Sequence, residues 1–392
     1  MPKPRIVILL SRFPYPLEKG DKLRAYHQIK YLAVQFDICL IALSTIQVKA
    51  EDIKILEPFC TAIHILQLSK SKCAIRAGLA LFSNTPFQVA YYYQQAIQQK
   101  ISKIVEAYQP SLVYVQLARI AKYAANLNCK KVLDFQDAFS VNYQRSSVHA
   151  KFPYQNIYQT EAKRILQFEK NIAAQFDAVT IISESDRQAL DIKDIVVVPN
   201  GVDVNYFSPK AKQKKYDLVF IGNLGYMPNV LAVELIIKEI MPILIAKNNA
   251  IQLLIAGANP SAQMMAYSNN NIAVKAWVPD IRDAYADAKI FIAPLHTGAG
   301  LQNKLLEAMS MQMPCITTSI CNNALHAIEN KEILTANTTH EFVEKINTLL
   351  QNTELQTQLG SNARQMIIRK FDWTSANSIL IDLLTSVINK QK

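Results

Sequence analysis

Short runs of apolar, mostly β-branched residues recur along this chain, and longer amphipathic segments separate them. The first is Arg5 to Leu10, and others follow at Asp37 to Leu43, Ala62 to Leu68, Ser111 to Val115, Lys131 to Phe135, Ala178 to Ile182 and Ile195 to Val198. Runs that stay apolar rather than alternating mark strands covered on both faces, the condition of a parallel sheet. Between them, Asp21 to Gln35 sets Leu23, Tyr26, Ile29 and Ala33 at helical spacing, and Gln88 to Tyr108 reads as one long helix. At Pro199-Asn200-Gly201 the pattern breaks in turn chemistry, and Pro209 to Lys215 is polar and basic, as a linker is. Alternation then restarts with strands at Asp217 to Ile221, Ile251 to Ala256, Ala273 to Ala276, Ile290 to Ala293, Cys315 to Thr318 and Glu332 to Leu334. Helices are expected at Asn229 to Ala246, Gln302 to Met311, Thr339 to Gln351, Glu354 to Lys370 and Trp373 to Asn389. The economical α/β architecture is two Rossmann-like parallel-sheet domains facing across a cleft, with ligands outside the carboxyl ends of the strands. The expected division is a first domain over 1–198, a linker over 199–216, a second domain over 217–371, and a terminal helix over 372–392 packing back on the first.

Composition excludes several classes. Half of the 392 residues are apolar and 19% are charged, which rules out a disordered chain. No stretch approaches the ~20 apolar residues of a membrane span, and Ile6 to Leu10 falls short of the ~7–15-residue core of a signal peptide. The expected location is therefore cytoplasmic, peripheral on the inner face of the cell membrane. The six cysteines form no C-x-x-C pair, the histidines form no H-E-x-x-H, and no Asp-x-Asp occurs, so no metal is expected. The net charge of +11 is one-sided: residues 1–200 hold 25 Lys and Arg against 16 Asp and Glu, whereas 201–392 hold 17 against 15. An uneven positive field suggests an anionic partner, here a phosphorylated substrate or an anionic membrane surface. Nucleic acid is disfavoured, because the basic residues form no recognisable module with interleaved aromatics.

Glycine is scarce, with nine in the chain, so each is expected to answer a backbone need. Gly222, Gly257, Gly298 and Gly300 all follow expected strands of the second half. The segment Pro294 to Ala308 carries a Gly298-Ala299-Gly300 loop, then Leu301, and enters a helix N-terminus. Free N–H groups and the helix dipole there suit a diphosphate. Lys304 in the first helical turn would neutralise phosphate charge. Glu307, three residues on, shares its face and would accept hydrogen bonds from ribose hydroxyls. In the first half, Gly20-Asp21 opens a helix after the first strand, with Arg24 one turn further in. Gln136 and Asp137 end the strand Lys131 to Phe135 as polar candidates at a strand end, where Asp137 would accept a proton or cap a helix. The stretches Ile75 to Phe82 and Phe87 to Tyr93, with Lys70, Lys72 and Arg76 nearby, read either as a surface against lipid head groups or as a core helix pair. Arg24, Tyr91 and Tyr92 are the candidates for the acceptor or membrane side.

Several of these motifs together resemble GT-B glycosyltransferases of family 4. The donor-binding signature of that family is matched by Gly298-Ala299-Gly300, Lys304 and Glu307-Ala308-Met309, followed by Met313-Pro314-Cys315. Its interdomain junction is matched by Val198-Pro199-Asn200-Gly201-Val202-Asp203. Phe220-Ile221-Gly222-Asn223, Ile255-Ala256-Gly257 and Val278-Pro279-Asp280 occur in the family's order. The opening Phe13-Pro14-Tyr15-Pro16 with Lys19-Gly20-Asp21 looks like a subgroup linked to exopolysaccharide systems. Two departures stand out. Many members carry a glutamate eight positions before the ribose glutamate, where this chain has Ala299. Many carry an Arg and a Lys after the strand ending at Gly222, where it has Asn223, and Lys304 is the replacement at hand.

The resemblance implies a retaining, metal-independent hexosyltransferase with no cofactor, moving a sugar from a nucleoside diphosphate sugar to a glycan or lipid-linked acceptor in cell-surface polysaccharide or glycolipid synthesis. It places Gly20, Asp21, Gly222, Asn223, Val278, Gly298, Ala299, Gly300, Leu301, Lys304 and Glu307 at the donor and Gln136 and Asp137 at the reacting centre. A catalytically silent sugar-nucleotide-binding protein of the same fold is the alternative. A Rossmann oxidoreductase is disfavoured, because Leu9-Leu10-Ser11-Arg12 stands where a G-x-G-x-x-G would follow the first strand.

Overall fold

The strands of the first half are β1 (Arg5–Leu10), β2 (Asp37–Ser44), β3 (Ala62–Gln67), β4 (Leu112–Gln116), β5 (Lys130–Asp134), β6 (Ala178–Ile181) and β7 (Ile195–Val197). They form one seven-stranded sheet in the order β3-β2-β1-β4-β5-β6-β7, with parallel pairing throughout. Those of the second half are β8 (Tyr216–Ile221), β9 (Leu253–Ala256), β10 (Ile272–Lys275), β11 (Ala288–Ala293), β12 (Cys315–Thr317) and β13 (Leu334–Thr335). They form a six-stranded parallel sheet in the order β10-β9-β8-β11-β12-β13. These assignments come from a computed structural model that describes residues 2–297 and 300–390.

The uninterrupted apolar strands are explained by burial on both faces. In β1, Val7 and Leu9 join one apolar cluster, and Ile6, Ile8 and Leu10 join another on the opposite face. The second cluster is completed by Leu380, Leu384 and Val387 of the helix Trp373–Asn389. Lys130 Nζ donates to the carbonyls of Val387 (2.7 Å) and Ile388 (2.9 Å), a cation set at that helix's negative end.

The chain divides into two compact units, Met1–Pro199 with Ala376–Lys392, and Asn200–Ser375. Residues 200–215 therefore belong to the second unit rather than forming a free linker. Lys210 pairs with Asp280 (2.9 Å) and Asp283 (3.1 Å), and Lys212 with Asp287 (2.8 Å), along the helix Ile281–Ala286. Two expected long helices are interrupted. Gln88 to Tyr108 splits into Phe87–Tyr92 and Gln95–Tyr108, with Tyr93 and Gln94 extended between them. Tertiary bonds draw Gln94 out: its N–H donates to Tyr123 Oη, and its amide donates to the Ser69 carbonyl. Asn229 to Ala246 contains a π-helical turn at Ile236–Ile240, just before Pro242, whose missing N–H breaks the regular ladder.

In the first unit, the helix Gly20–Leu32 buries Arg24, which is 1% exposed. Its Nε donates to Asp134 Oδ2 at 2.7 Å, and its two terminal nitrogens reach the Val198 carbonyl (2.9 Å) and the Pro199 carbonyl (3.1 Å). Asp134, fully buried at the end of β5, also accepts from Tyr114 Oη (2.9 Å), Thr180 Oγ1 (3.0 Å) and the Gln136 N–H (3.2 Å). Arg24 is thus a structural residue and does not face an acceptor or a membrane. Arg24→Ala leaves a buried carboxylate without its counter-charge, so urea denaturation is expected to show a loss of about 3–5 kcal/mol. Arg24→Lys should recover little of this, because one ammonium cannot span the carboxylate and both carbonyls.

Candidate active site

In the second sheet the winding runs from β8 toward β10 on one side and from β11 toward β13 on the other. The carboxyl ends of β8 and β11 flank this reversal, where open parallel sheets bind ligands. Gly222 follows β8 and Gly257 follows the neighbouring β9, and here glycine is compulsory. Gly257 has φ +151°, and a Cβ on it would stand 1.7 Å from the Gly222 carbonyl oxygen. A Cβ on Gly222 would meet Asn229 Nδ2 at 2.9 Å and Lys304 Cε at 3.2 Å. The backbone is kept bare at the point where Asn229 and Lys304 arrive.

Lys304 lies in the first turn of the helix Asn303–Ser310, which follows the loop after β11. Its Nζ donates to Asn229 Oδ1 (2.8 Å) and Gln302 Oε1 (3.0 Å). Asn229 is fixed in turn by donating to the Asn223 carbonyl (2.8 Å). Burial pulls the Lys304 ammonium down to about 8, against the upward influence of Glu307. Glu307, one turn on, accepts from Tyr285 Oη at 2.7 Å on Oε2, and burial pushes its carboxyl up to about 7. One wall thus holds a cation and a carboxylate that burial drives toward their neutral forms.

Of the other donor-side candidates, Leu301 is buried in the core and Val278 packs half-buried against it. The side-chain oxygen of Asn223 is taken up in closing its own turn, accepting from the Gly225 N–H (3.0 Å). The Gly300 carbonyl accepts from Gln302 Nε2 at 3.0 Å. Gly298 and Ala299 lie outside the described residues. Asn229 belongs to the Pro228-Asn229 pair that follows Gly222-Asn223 in the resemblance, whereas Tyr285 carries no sequence signal of a site. Tyr285 sits in a short helix among apolar residues, and only the fold brings its hydroxyl to Glu307.

The winding of the first unit reverses between β1 and β4, and the segments after those strands supply Ser11, Arg12 and Arg119. Asp21 does not stand open to a donor, because it pairs with Arg12 (3.1 Å) and Arg119 (3.3 Å). Arg119 also donates to Ser11 Oγ (2.8 Å) and lies 4.8 Å from the Tyr92 ring centroid. A cavity of ≈ 470 Å³ opens here, lined by Arg12, Tyr15, Lys19, Lys22 and Tyr92 among others. Gly20 is exposed at the helix start, with nothing within 4 Å of where a Cβ would stand. Tyr91 and Tyr92 are half-buried against the core, so Tyr91 is a packing residue rather than part of a presented surface.

Gln136, just past β5, is buried and has φ +60°, a left-handed conformation that strains a side-chain-bearing residue. Among the described residues nothing bonds its Nε2. Strain combined with an unanswered buried donor makes Gln136 a candidate for a contact beyond the protein. Asp137 beside it is half-buried.

Residues 215–352 match the family model described as "Glycosyl transferases group 1". Over 94% of its length the chain is 23% identical to an uncharacterized 44.6 kDa protein in the cps region of Klebsiella pneumoniae, spanning 96% of that protein. Over 48% of its length it is 24% identical to the capsular polysaccharide biosynthesis glycosyltransferase CapM of Staphylococcus aureus, spanning 50% of that protein. Among solved structures it is similar to sucrose-phosphate synthase from Thermosynechococcus elongatus, with TM-score 0.71 and 15% identity over 98% of this chain and 99% of that one. It is also similar to Anabaena HepE in complex with UDP-glucose, with TM-score 0.68 and 13% identity over 97% and 99%. The fold is that of the GT-B glycosyltransferases.

The raised carboxyl of Glu307 makes a prediction for the ligand-free protein. Because its folded pKa of about 7 stands above the usual carboxylate value, folding favours the protonated form. The ionised side chain therefore costs stability fully above pH 7, and the cost fades as pH falls toward 5. Glu307→Gln is expected to melt a few degrees higher than wild type at pH 8, with the gap closing near pH 5. Thermal denaturation across that range checks it.

Proposed function

We propose that the chain is a glycosyltransferase that moves a sugar from a nucleoside diphosphate sugar to a glycan or lipid-linked acceptor, with retention of configuration, in the synthesis of a cell-surface polysaccharide. The observation that carries this is the wall of Gly222, Gly257, Lys304 and Glu307 at the winding reversal of the second sheet. The absence of a Cβ at Gly222 lets Lys304 and Asn229 come in close over the end of β8. Lys304 and the N-terminus of the helix Asn303–Ser310 meet the charge of a diphosphate. Glu307 has Oε2 held by Tyr285, which turns Oε1 toward a ribose hydroxyl. The UDP-glucose bound by HepE and the capsular role of CapM support this donor class and this setting.

In the reaction, the bond from the anomeric carbon to the β-phosphate oxygen breaks and the acceptor hydroxyl oxygen bonds to that carbon. The diphosphate leaves with the electron pair of the broken bond and takes the proton of the attacking hydroxyl from the same face. Lys304 stabilises the negative charge that develops on the diphosphate, so cationic charge stands at the leaving group without a metal ion. The unanswered amide of Gln136 donates to a sugar hydroxyl, and Asp137 orients the acceptor.

Turnover of a panel of radiolabelled nucleoside diphosphate sugars tests the activity, and binding without any turnover would leave a sugar-nucleotide-binding protein of this fold. Lys304→Ala is expected to weaken nucleoside diphosphate binding by about 1–3 kcal/mol while leaving the free nucleoside almost unaffected. In wild type, binding requires protonated Lys304 and ionised Glu307. Calorimetry is therefore expected to show affinity highest near pH 7 to 8, falling above about 8 as the amine loses its proton and below about 7 as the carboxyl gains one. Gln136→Ala is expected to leave nucleotide affinity unchanged and to slow transfer by about 10- to 100-fold, the scale of one lost hydrogen bond to a reacting group. Comparing steady-state kinetics with calorimetry separates the two effects.

A further inference from the structure

The charge excess of the first half is concentrated in two stretches. Between Glu57 and Asp134 the chain has nine Lys and Arg and a single acidic residue, Glu106. Between Asp137 and Glu161 there is no Asp or Glu at all. These stretches include the helices Lys70–Leu79 and Phe87–Tyr92, and the helix Phe139–His149 with the start of Tyr154–Ala173. The two helix pairs are fastened together: Arg164 donates to the Ala80 carbonyl (3.2 Å) and Gln88 Nε2 to Tyr143 Oη (3.1 Å).

The surface of the helix Lys70–Leu79 and the turn after it also exposes a run of large apolar side chains. Ile75 is 61% exposed, Leu79 63%, Leu81 57% and Phe82 91%. Across the fastening, Phe152 is 80% exposed and Tyr154 63%. Lys72, Ile75 and Leu79 follow one another at helical spacing, so one face of the helix Lys70–Leu79 begins basic and ends apolar, with Phe82 beyond its tip. Lys70, Lys72 and Lys151 are exposed around these residues. Among the described residues no helix is long and apolar enough to cross a membrane.

We propose that this face, from Lys70 to Phe82, docks on an anionic lipid bilayer. Phe82, Leu81 and Leu79 enter the boundary between head groups and acyl chains, and Lys70 and Lys72 meet lipid phosphates. A bilayer fits better than a protein partner because cations surround the apolar tip without the acids that a protein interface of mixed charge would carry. Apolar insertion and basic attraction supply two weak anchors that act together.

The full-length protein is tested by sedimentation with vesicles of phosphatidylglycerol and phosphatidylcholine, against vesicles of phosphatidylcholine alone. Binding is expected to the anionic vesicles and to fall steeply with salt, since screening acts over ~8 Å at physiological ionic strength. Leu79→Ser with Phe82→Ser is expected to cut vesicle affinity by about tenfold or more. Its melting temperature should stay unchanged, because both side chains are already exposed. Phe82→Trp is expected to give an indole emission that shifts to the blue and is quenched by brominated lipid, beyond the response of wild type. Absence of binding to anionic vesicles at low salt overturns the proposal. So does equal binding by the double Ser variant. A wild-type dimer in sedimentation velocity that the double Ser variant abolishes also overturns it, by assigning the face to a second copy. None of these readouts depends on sugar transfer.

Discussion

A guanidinium sealed from water must find an answer for its charge and donors, and in the first unit Arg24 finds it in Asp134 and two carbonyls. Much of the carboxyl edge of that sheet depends on this contact. Asp134 binds the helix after β1 to the end of β5, and through Tyr114 and Thr180 to β4 and β6. The same carboxylate holds the Gln136 N–H, which keeps the left-handed backbone at the strand end in place. A strained residue with an idle amide persists only where its surroundings over-determine it. The network around Asp134 does so, and a conformation that costs free energy is thereby held ready for a ligand.

The second unit spends stability in another way. Lys304 and Glu307 stand in surroundings that disfavour both of their charges, and Gly222 and Gly257 surrender the flexibility of two loops so that backbones can nearly touch. Such arrangements are poor designs for a stable fold. The compulsory glycines explain their clustering in a chain that otherwise avoids the residue.

The sequence makes both parallel sheets legible because strands buried on two faces must be apolar without interruption, and no other element of this length has that need. It makes Lys304 and Glu307 legible because their spacing and the glycine loop belong to one helix start. Arg24 is misleading for a physical reason: an arginine one turn into a helix reads as exposed until its partner, 110 residues later, is brought beside it. Tyr285 is silent because it reaches the site through tertiary packing. The breaks at Tyr93 and Ile236 are hidden likewise, since bonds from Tyr123 and a ladder lacking the Pro242 N–H decide them. The basic run around Lys210 resembles a solvated connection because the acids that hold it lie 70 residues away.

The helix Trp373–Asn389 has a consequence for how the protein is made. Leu380, Leu384 and Val387 fill the face of the first sheet beside Ile6, Ile8 and Tyr114, so the core of the first unit contains residues from both ends of the described chain. On a ribosome, the unit begun first is therefore completed last. The second unit is continuous from Asn200 to Ser375 and can close its own core while the first still lacks a wall. Until residues 380–387 emerge, the cluster around Ile6, Ile8 and Leu10 lacks the apolar side chains of that helix. The order of synthesis and the order of burial run in opposite directions, and translation exposes the first sheet for the full length of its partner.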